Sequence, residues 1–115
     1  MDNNKLHLDL ASYNEFRTAL KIVGDKWSAL ILLALFQSSN PLRFTEIELE
    51  CPGLSPRTLT QRLRMLEKAG LIIRKKYKEF PPRTEYELTK KAHELKVAIL
   101  ELKKWARKYC KSNQV

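Results

Sequence analysis

With 115 residues, 43% of them hydrophobic, the chain has room for one core and too much apolar character to stay disordered. Lys and Arg total 22 against 13 Asp and Glu, a net charge of +9 that favours a polyanionic partner, either nucleic acid or an anionic membrane surface. The longest apolar run, Ala29 to Phe36, is eight residues, whereas a bilayer-spanning helix needs about 20, and two cysteines are too few for a disulfide framework, so a reducing cytoplasm is expected. Residues 1–11 carry weak signals and read as a mobile arm, with no secretory leader pattern. Ser12 followed by Glu15 matches a capping box, and Phe16, Ala19, Leu20 and Val23 then recur at helical spacing. Gly24 is expected to end that helix in the left-handed conformation. Asp25 caps the next helix, Lys26 to about Gln37, which is apolar nearly all round and should be the central core helix. Ser38 to Pro41 breaks it. A short helix follows from about Phe44 to Cys51, with Phe44, Ile47 and Leu49 expected inward. Pro52-Gly53 is a turn. Ser55 as N-cap and Pro56 at the first helical position start another helix, which runs to Ala69 and stops at Gly70. Leu71 to Tyr77 reads as a strand, Lys78 to Arg83 as a loop, and Thr84 to Leu88 as the returning strand of a hairpin. Thr89 caps a last helix reaching about Tyr109.

That order predicts an α+β, mainly α fold. Helices surrounding a turn at Pro52-Gly53, followed by a basic hairpin, are the outline of a winged helix-turn-helix covering residues 12–111. In the helix after Ser55, successive residues turn by about 100°, so Leu59, Leu63 and Leu66 form one buried stripe. Arg57, Gln61, Arg64 and Lys68 take the opposite side, flanked by Thr58 and Thr60. These residue types suit a DNA major groove: Arg pairs with guanine, Gln with adenine, and a Thr methyl meets thymine. The N-terminal half of such a helix enters the groove, so Arg57, Thr58, Thr60 and Gln61 are the candidate base readers, and Arg64 and Lys68 candidate phosphate contacts. A polar outer face by itself is also what any surface helix shows.

The hairpin adds weight. Between Ser55 and Arg83 nine basic residues face only Glu67 and Glu79, so this stretch carries seven of the nine net charges. Such concentration is a footprint for phosphate. Lys75, Lys76, Lys78 and Arg83 are the candidate wing contacts, with Arg83 or Lys78 at a tip that two prolines stiffen. Lys75 and Lys76 also fit the protection of an edge strand against aggregation.

In the last helix, about residues 89–110, Ala92, Leu95, Ile99, Leu102, Ala106 and Tyr109 recur at alternating steps of three and four, a heptad-like seam. Val97 and Leu100 lie away from that seam. Two apolar faces fit one face on the chain's own domain and one on a second copy, with Leu95, Ile99, Leu102, Ala106 and Tyr109 as the dimer contacts. They also fit a single core that takes both. A two-fold dimer would set two recognition helices about one DNA turn apart.

Several spaced motifs resemble those of the HxlR-type transcriptional regulators, winged-helix proteins related to the MarR group. They are Gly24-Asp25-Lys26-Trp27, Arg43-Phe44-Thr45-Glu46-Ile47, Leu54-Ser55, Leu59-Thr60, Arg62-Leu63, Leu66-Glu67, Gly70-Leu71-Ile72, the run Pro81 to Thr89, and Trp105. The resemblance covers about Tyr13 to Tyr109. It implies a prokaryotic homodimer that binds pseudo-palindromic operators in double-stranded DNA, with N- and C-terminal helices building the interface. Some members of that family sense electrophiles or oxidants through a cysteine near the N-terminus. Here Tyr13 occupies that place and has no thiol chemistry. Asp25 stands where a second glycine is usual.

The remaining chemistry is sparse. His7 and His93 are isolated, no Cys or His falls at metal-ligand spacing, and no phosphate-binding glycine loop or nucleophile–base pair appears, so neither an enzyme nor a cofactor or metal is expected. Cys110, between Lys108 and Lys111, is a candidate redox thiol, with Cys51 the other. The expected function is therefore sequence-specific DNA binding in transcription regulation, with no membrane partner. The alternatives are a protein-interaction winged helix that leaves DNA alone and a thiol-based regulator.

Overall fold

The computed structural model describes residues 9–110. The expected arm therefore lies mostly outside the described residues. Five helices and three strands follow in the order α1 (Leu10–Val23), α2 (Lys26–Gln37), β1 (Leu42–Arg43), α3 (Phe44–Glu50), α4 (Pro56–Lys68), β2 (Ile72–Tyr77), β3 (Arg83–Leu88) and α5 (Lys90–Tyr109). The antiparallel sheet has the order β1-β3-β2. Ile72 stands opposite Leu88, Arg74 opposite Tyr86, and Lys76 opposite Thr84, while Leu42 pairs with Tyr86 on the other edge.

The core forms where the apolar faces converge. Ile31, Leu32, Leu35 and Phe36 of α2 meet Ile47, Leu54, the three leucines of α4, Leu71, Ile72, Tyr86, Ala92 and Ile99. Each large aliphatic side chain buried this way contributes about 1.5–3 kcal/mol, so α4 is held in place mainly by Leu59, Leu63 and Leu66, all buried. Its ends are closed by local chemistry. Ser55 Oγ accepts from Thr58 N–H at 3.1 Å. At the far end Leu71 N–H donates to Leu66 O at 2.9 Å and Gly70 N–H to Glu67 O at 3.0 Å, a Schellman closure. That closure puts Gly70 at φ +78°, a conformation side chains rarely tolerate.

Four local expectations are corrected. Helix α1 starts at Leu10 and is capped by Asp9, whose carboxylate accepts from Ser12 N–H at 2.7 Å. Three residues earlier than Ser12, the stronger acceptor captures the orphan amides. Gly24 has φ −86° and is not left-handed. Glycine is needed there because a Cβ would lie 2.5 Å from the carbonyl oxygen of Leu20. Leu49 points outward and is 80% exposed. The two-residue strand β1 falls in what reads as a loop.

Two elements stand out from the body. No residue of α1 is buried, and the distal part of α5 exposes Leu102, Trp105 and Tyr109. A compact chain of this length has a radius of gyration of about 13 Å, whereas this one reaches 17.0 Å.

Candidate nucleic-acid interface

With its three leucines turned inward, α4 turns Arg57, Gln61, Arg64 and Lys68 to solvent, and all four are exposed. None has an ion-pair partner among the described residues. The two flanking threonines are narrower tools than their residue type suggests. The Thr58 hydroxyl accepts from Ser55 Oγ at 3.0 Å within the helix cap. The Thr60 hydroxyl donates back to Pro56 O at 2.9 Å, leaving its methyl as the free group.

The β-pleat divides the charges of the hairpin. Successive side chains alternate faces, and Ile72, Tyr86 and Leu88 fix which face looks inward by their pairing. Arg74 and Lys76 continue that inward face toward the tip. Because α4 packs on β2, this is also the face that looks toward the recognition helix. Tyr86 reports the same neighbourhood. Burial pushes its phenol up, and the Arg74, Glu67 and Arg64 charges act on it from both strand and helix. The opposite face carries Ile73, Lys75, Glu85 and Glu87. There Lys75 Nζ lies 2.7 Å from Glu87 Oε1, which holds its pKa above the ordinary lysine value.

The hairpin places Lys75 and Arg83, two of the expected wing contacts, off the face shared by Arg74 and Lys76. Lys75 is turned away from α4 and engaged with Glu87, because odd and even strand positions cannot share a face. Arg83 is not the tip. Its Nη1 lies 2.6 Å from Glu79 Oε2, its Nε lies 3.3 Å from Glu85 Oε2, and its guanidinium sits 4.4 Å from the centre of the Tyr77 ring. It braces the base of the loop. Lys78 is exposed as expected, and Phe80 in the same loop is 99% exposed. Arg74 shares the period-two face of Lys76, and that spacing is a signal the sequence alone carries.

Arg62 has a separate attachment. Its Nε donates to Asp25 Oδ2 at 2.8 Å, and the same carboxylate accepts from Ser28 N–H at 2.9 Å and Ser28 Oγ at 2.7 Å. Burial pushes the Asp25 carboxyl up, but the Arg62 and Ser28 hydrogen bonds outweigh it and hold the group below its ordinary value. The pair ties the start of α2 to the middle of α4.

The candidate dimer seam splits. Ile99 is buried in the chain's own core and Leu95 is half-buried against it. Leu102 and Tyr109 are exposed and Ala106 is half-buried. The seam therefore serves its own domain first and turns outward only beyond Ile99. A groove of about 760 Å³ runs between α1 and α5, lined by Phe16, Leu20, Val23, Leu95, Leu102 and Trp105 among others.

Residues 22–114 match the model of the HxlR-like helix-turn-helix family. The chain belongs to that family. It is 39% identical over 114 residues to the HTH-type transcriptional regulator YdeP of Bacillus subtilis (strain 168), covering 95% of this chain and 87% of that protein. Among solved structures, the redox regulator HypR in its oxidized form superimposes with a TM-score of 0.78 at 30% identity, over 84% of this chain and 98% of that one. A MarR-family transcriptional regulator from Enterococcus faecalis V583 gives a TM-score of 0.75 at 32% identity, over 90% and 92%. This HxlR-like chain is thus a winged-helix protein of the helix-turn-helix transcriptional regulator class, and its relatives are regulators rather than enzymes. No helix among the described residues is long and apolar enough to cross a membrane.

Proposed function

We propose that this chain is a cytoplasmic homodimer that binds double-stranded DNA sequence-specifically at pseudo-palindromic operators. The observation that carries the reading is the exposed set Arg57, Gln61, Arg64 and Lys68 on α4, without ion-pair partners among the described residues and facing the same space as Arg74 and Lys76 on the hairpin. Exposed cations on two adjoining elements, with no ion-pair partner among the described residues, are suited to phosphate, and the Arg–Gln pair one turn apart is suited to base edges. Arg57, Thr60 and Gln61 are assigned to base readout. Thr58 contributes mainly by closing the helix start. Arg64, Lys68, Arg74, Lys76 and Lys78 are assigned to phosphates. The groove between α1 and α5, with Leu102, Ala106 and Tyr109 beyond it, is assigned to the second copy.

The test is duplex binding measured against salt. A dimer making these contacts gives log K against log salt a slope of about −5 to −9, from about −0.9 per neutralised phosphate. Arg57→Ala or Gln61→Ala is expected to cost about 1–3 kcal/mol on the selected operator and little on random duplex, while Lys76→Ala weakens both alike. Equal losses on both duplexes from all three substitutions would remove the base-reading assignment, and no binding to any duplex would leave a protein-interaction winged helix.

A thiol switch is a second reading, favoured by the likeness to HypR, which is a redox regulator. Cys51 does not support it: the thiol is buried, and burial pushes its pKa up. Cys110, half-buried at the end of α5, is the thiol left to carry it. DNA affinity before and after diamide, with Cys110→Ser alongside, tests this, and an unchanged affinity ends it.

A further inference from the structure

We infer that Phe80 is an apolar wedge that enters the DNA minor groove beside the site read by α4 and partly unstacks a base step there. The inference rests on the DNA reading above and concerns what the wing does once bound. Phe80 is 99% exposed, more than any other large hydrophobic residue among those described. A phenyl ring held wholly in water contributes nothing to folding, which leaves it free to meet a surface outside the chain.

The loop beneath it is built to hold the ring out. Arg83 Nη1 binds Glu79 at 2.6 Å and its guanidinium stacks on Tyr77 at 4.4 Å. That arrangement does two things. It cancels the one acidic group next to Phe80, which would otherwise repel a phosphate backbone. It also removes Arg83 as a groove contact and leaves the crown of the wing as Phe80-Pro81-Pro82, with Lys78 exposed beside it. An apolar crown above a cationic strand face matches a groove whose walls are deoxyribose and whose rims are phosphate. Apolar side chains used in this way separate neighbouring base pairs and bend the duplex. Lys78 is exposed beside the crown and Arg74 and Lys76 lie on the same hairpin, and this positive charge favours DNA over an uncharged protein surface as its occupant.

The experiment uses the full chain and one operator-length duplex with 2-aminopurine placed in the flank, read by fluorescence, anisotropy and end-to-end energy transfer. Phe80→Ala is expected to weaken binding about tenfold, near the lower end of what one base–aromatic contact is worth. It should leave the salt slope unchanged and abolish both the 2-aminopurine rise and the bend. Phe80→Leu, still a wedge, should retain most of each. Lys78→Ala should instead reduce the slope and keep the bend. Wild-type binding and bending reproduced by Phe80→Ala would overturn the wedge alone. So would a change of sedimentation in Phe80→Ala with DNA affinity intact, which would make the ring a protein contact. Failure of the wild-type chain to bind any duplex would overturn the DNA reading and the wedge with it.

Discussion

Arg74 and Lys75 are neighbours in sequence with the same formal charge, yet the pleat gives them opposite employment. Arg74 looks toward α4, while Lys75 sits 2.7 Å from Glu87 on the other face. A cation already paired releases little counterion when DNA arrives, because its phosphate contact must first break an ion pair. Arg74→Ala is therefore expected to lower the salt slope by about one per chain, and Lys75→Ala to leave it nearly unchanged. Titrating duplex affinity from low to high salt with both variants separates them, and equal slopes would contradict the facial assignment. Asp25 offers a different kind of test. Burial pushes its carboxyl up, but the Arg62 and Ser28 hydrogen bonds to the ionised form outweigh it and hold it below the ordinary aspartate value in the folded chain. A depressed folded value means that its stabilisation is complete above the ordinary aspartate value and disappears as pH falls through the folded one. Asp25→Asn keeps a capping side chain and removes the charge, so its stability should fall less steeply below about pH 4 than that of the parent. Urea unfolding at several acidic pH values measures this, and parallel acid limbs would show that the pair does not couple to folding.

At the level of elements, α4 is the piece on which both stability and recognition depend. Leu63 is buried beneath the face that carries Gln61 and Arg64. Leu63→Ala should cost about 2–5 kcal/mol of folding free energy, read as a lower urea midpoint with little change in m. The elements legible in the residues were those marked by local chemistry: Asp25, Ser55-Pro56, Gly70 and Thr89 cap or close helices as their types require, and the leucine spacing orients α4 correctly. The hairpin was legible as two strands, but which basic residues it offers outward depends on register. Register is set by Ile72, Tyr86 and Leu88 meeting the core, a tertiary fact. Arg83 was misplaced for a related reason, since only the folded loop brings Glu79, Tyr77 and Glu85 around it. The Asp25–Arg62 pair, 37 residues apart, has no local signal at all. Strand β1 escaped because a two-residue bridge has no periodicity to detect. Helix α1 began early because Asp9 offers a cap three residues ahead of Ser12, whose own N–H it accepts.

The molecule as a whole has an extended outline, with a radius of gyration of 17.0 Å. Helix α1 presents Phe16 and Leu20 at 64% and 44% exposure, and α5 presents Leu102 and Trp105 at 59% and 58%. These four line the same groove. Together they form one apolar groove open to water, the kind of surface that a second copy can cover. The proposed dimer would cover it, and it would do so without Ile99, which already belongs to the core. Trp105→Glu places a charge where the second copy would exclude water, whereas in the isolated chain the position is solvated, so the substitution should leave the fold intact and separate the copies. Sedimentation should show a shift from dimer to monomer with an unchanged circular dichroism spectrum. The consequence for DNA follows from geometry. Two recognition helices held one turn apart bind the second half-site at an effective concentration in the millimolar range, so losing the link should weaken operator binding by about 10²–10⁴-fold. Binding to a single half-site, where the partner contributes nothing, should fall much less. A Trp105→Glu chain that stays dimeric, or one that becomes monomeric yet holds the full operator as tightly as before, would separate the two claims: the first places the interface elsewhere, and the second means that one chain reads the operator alone.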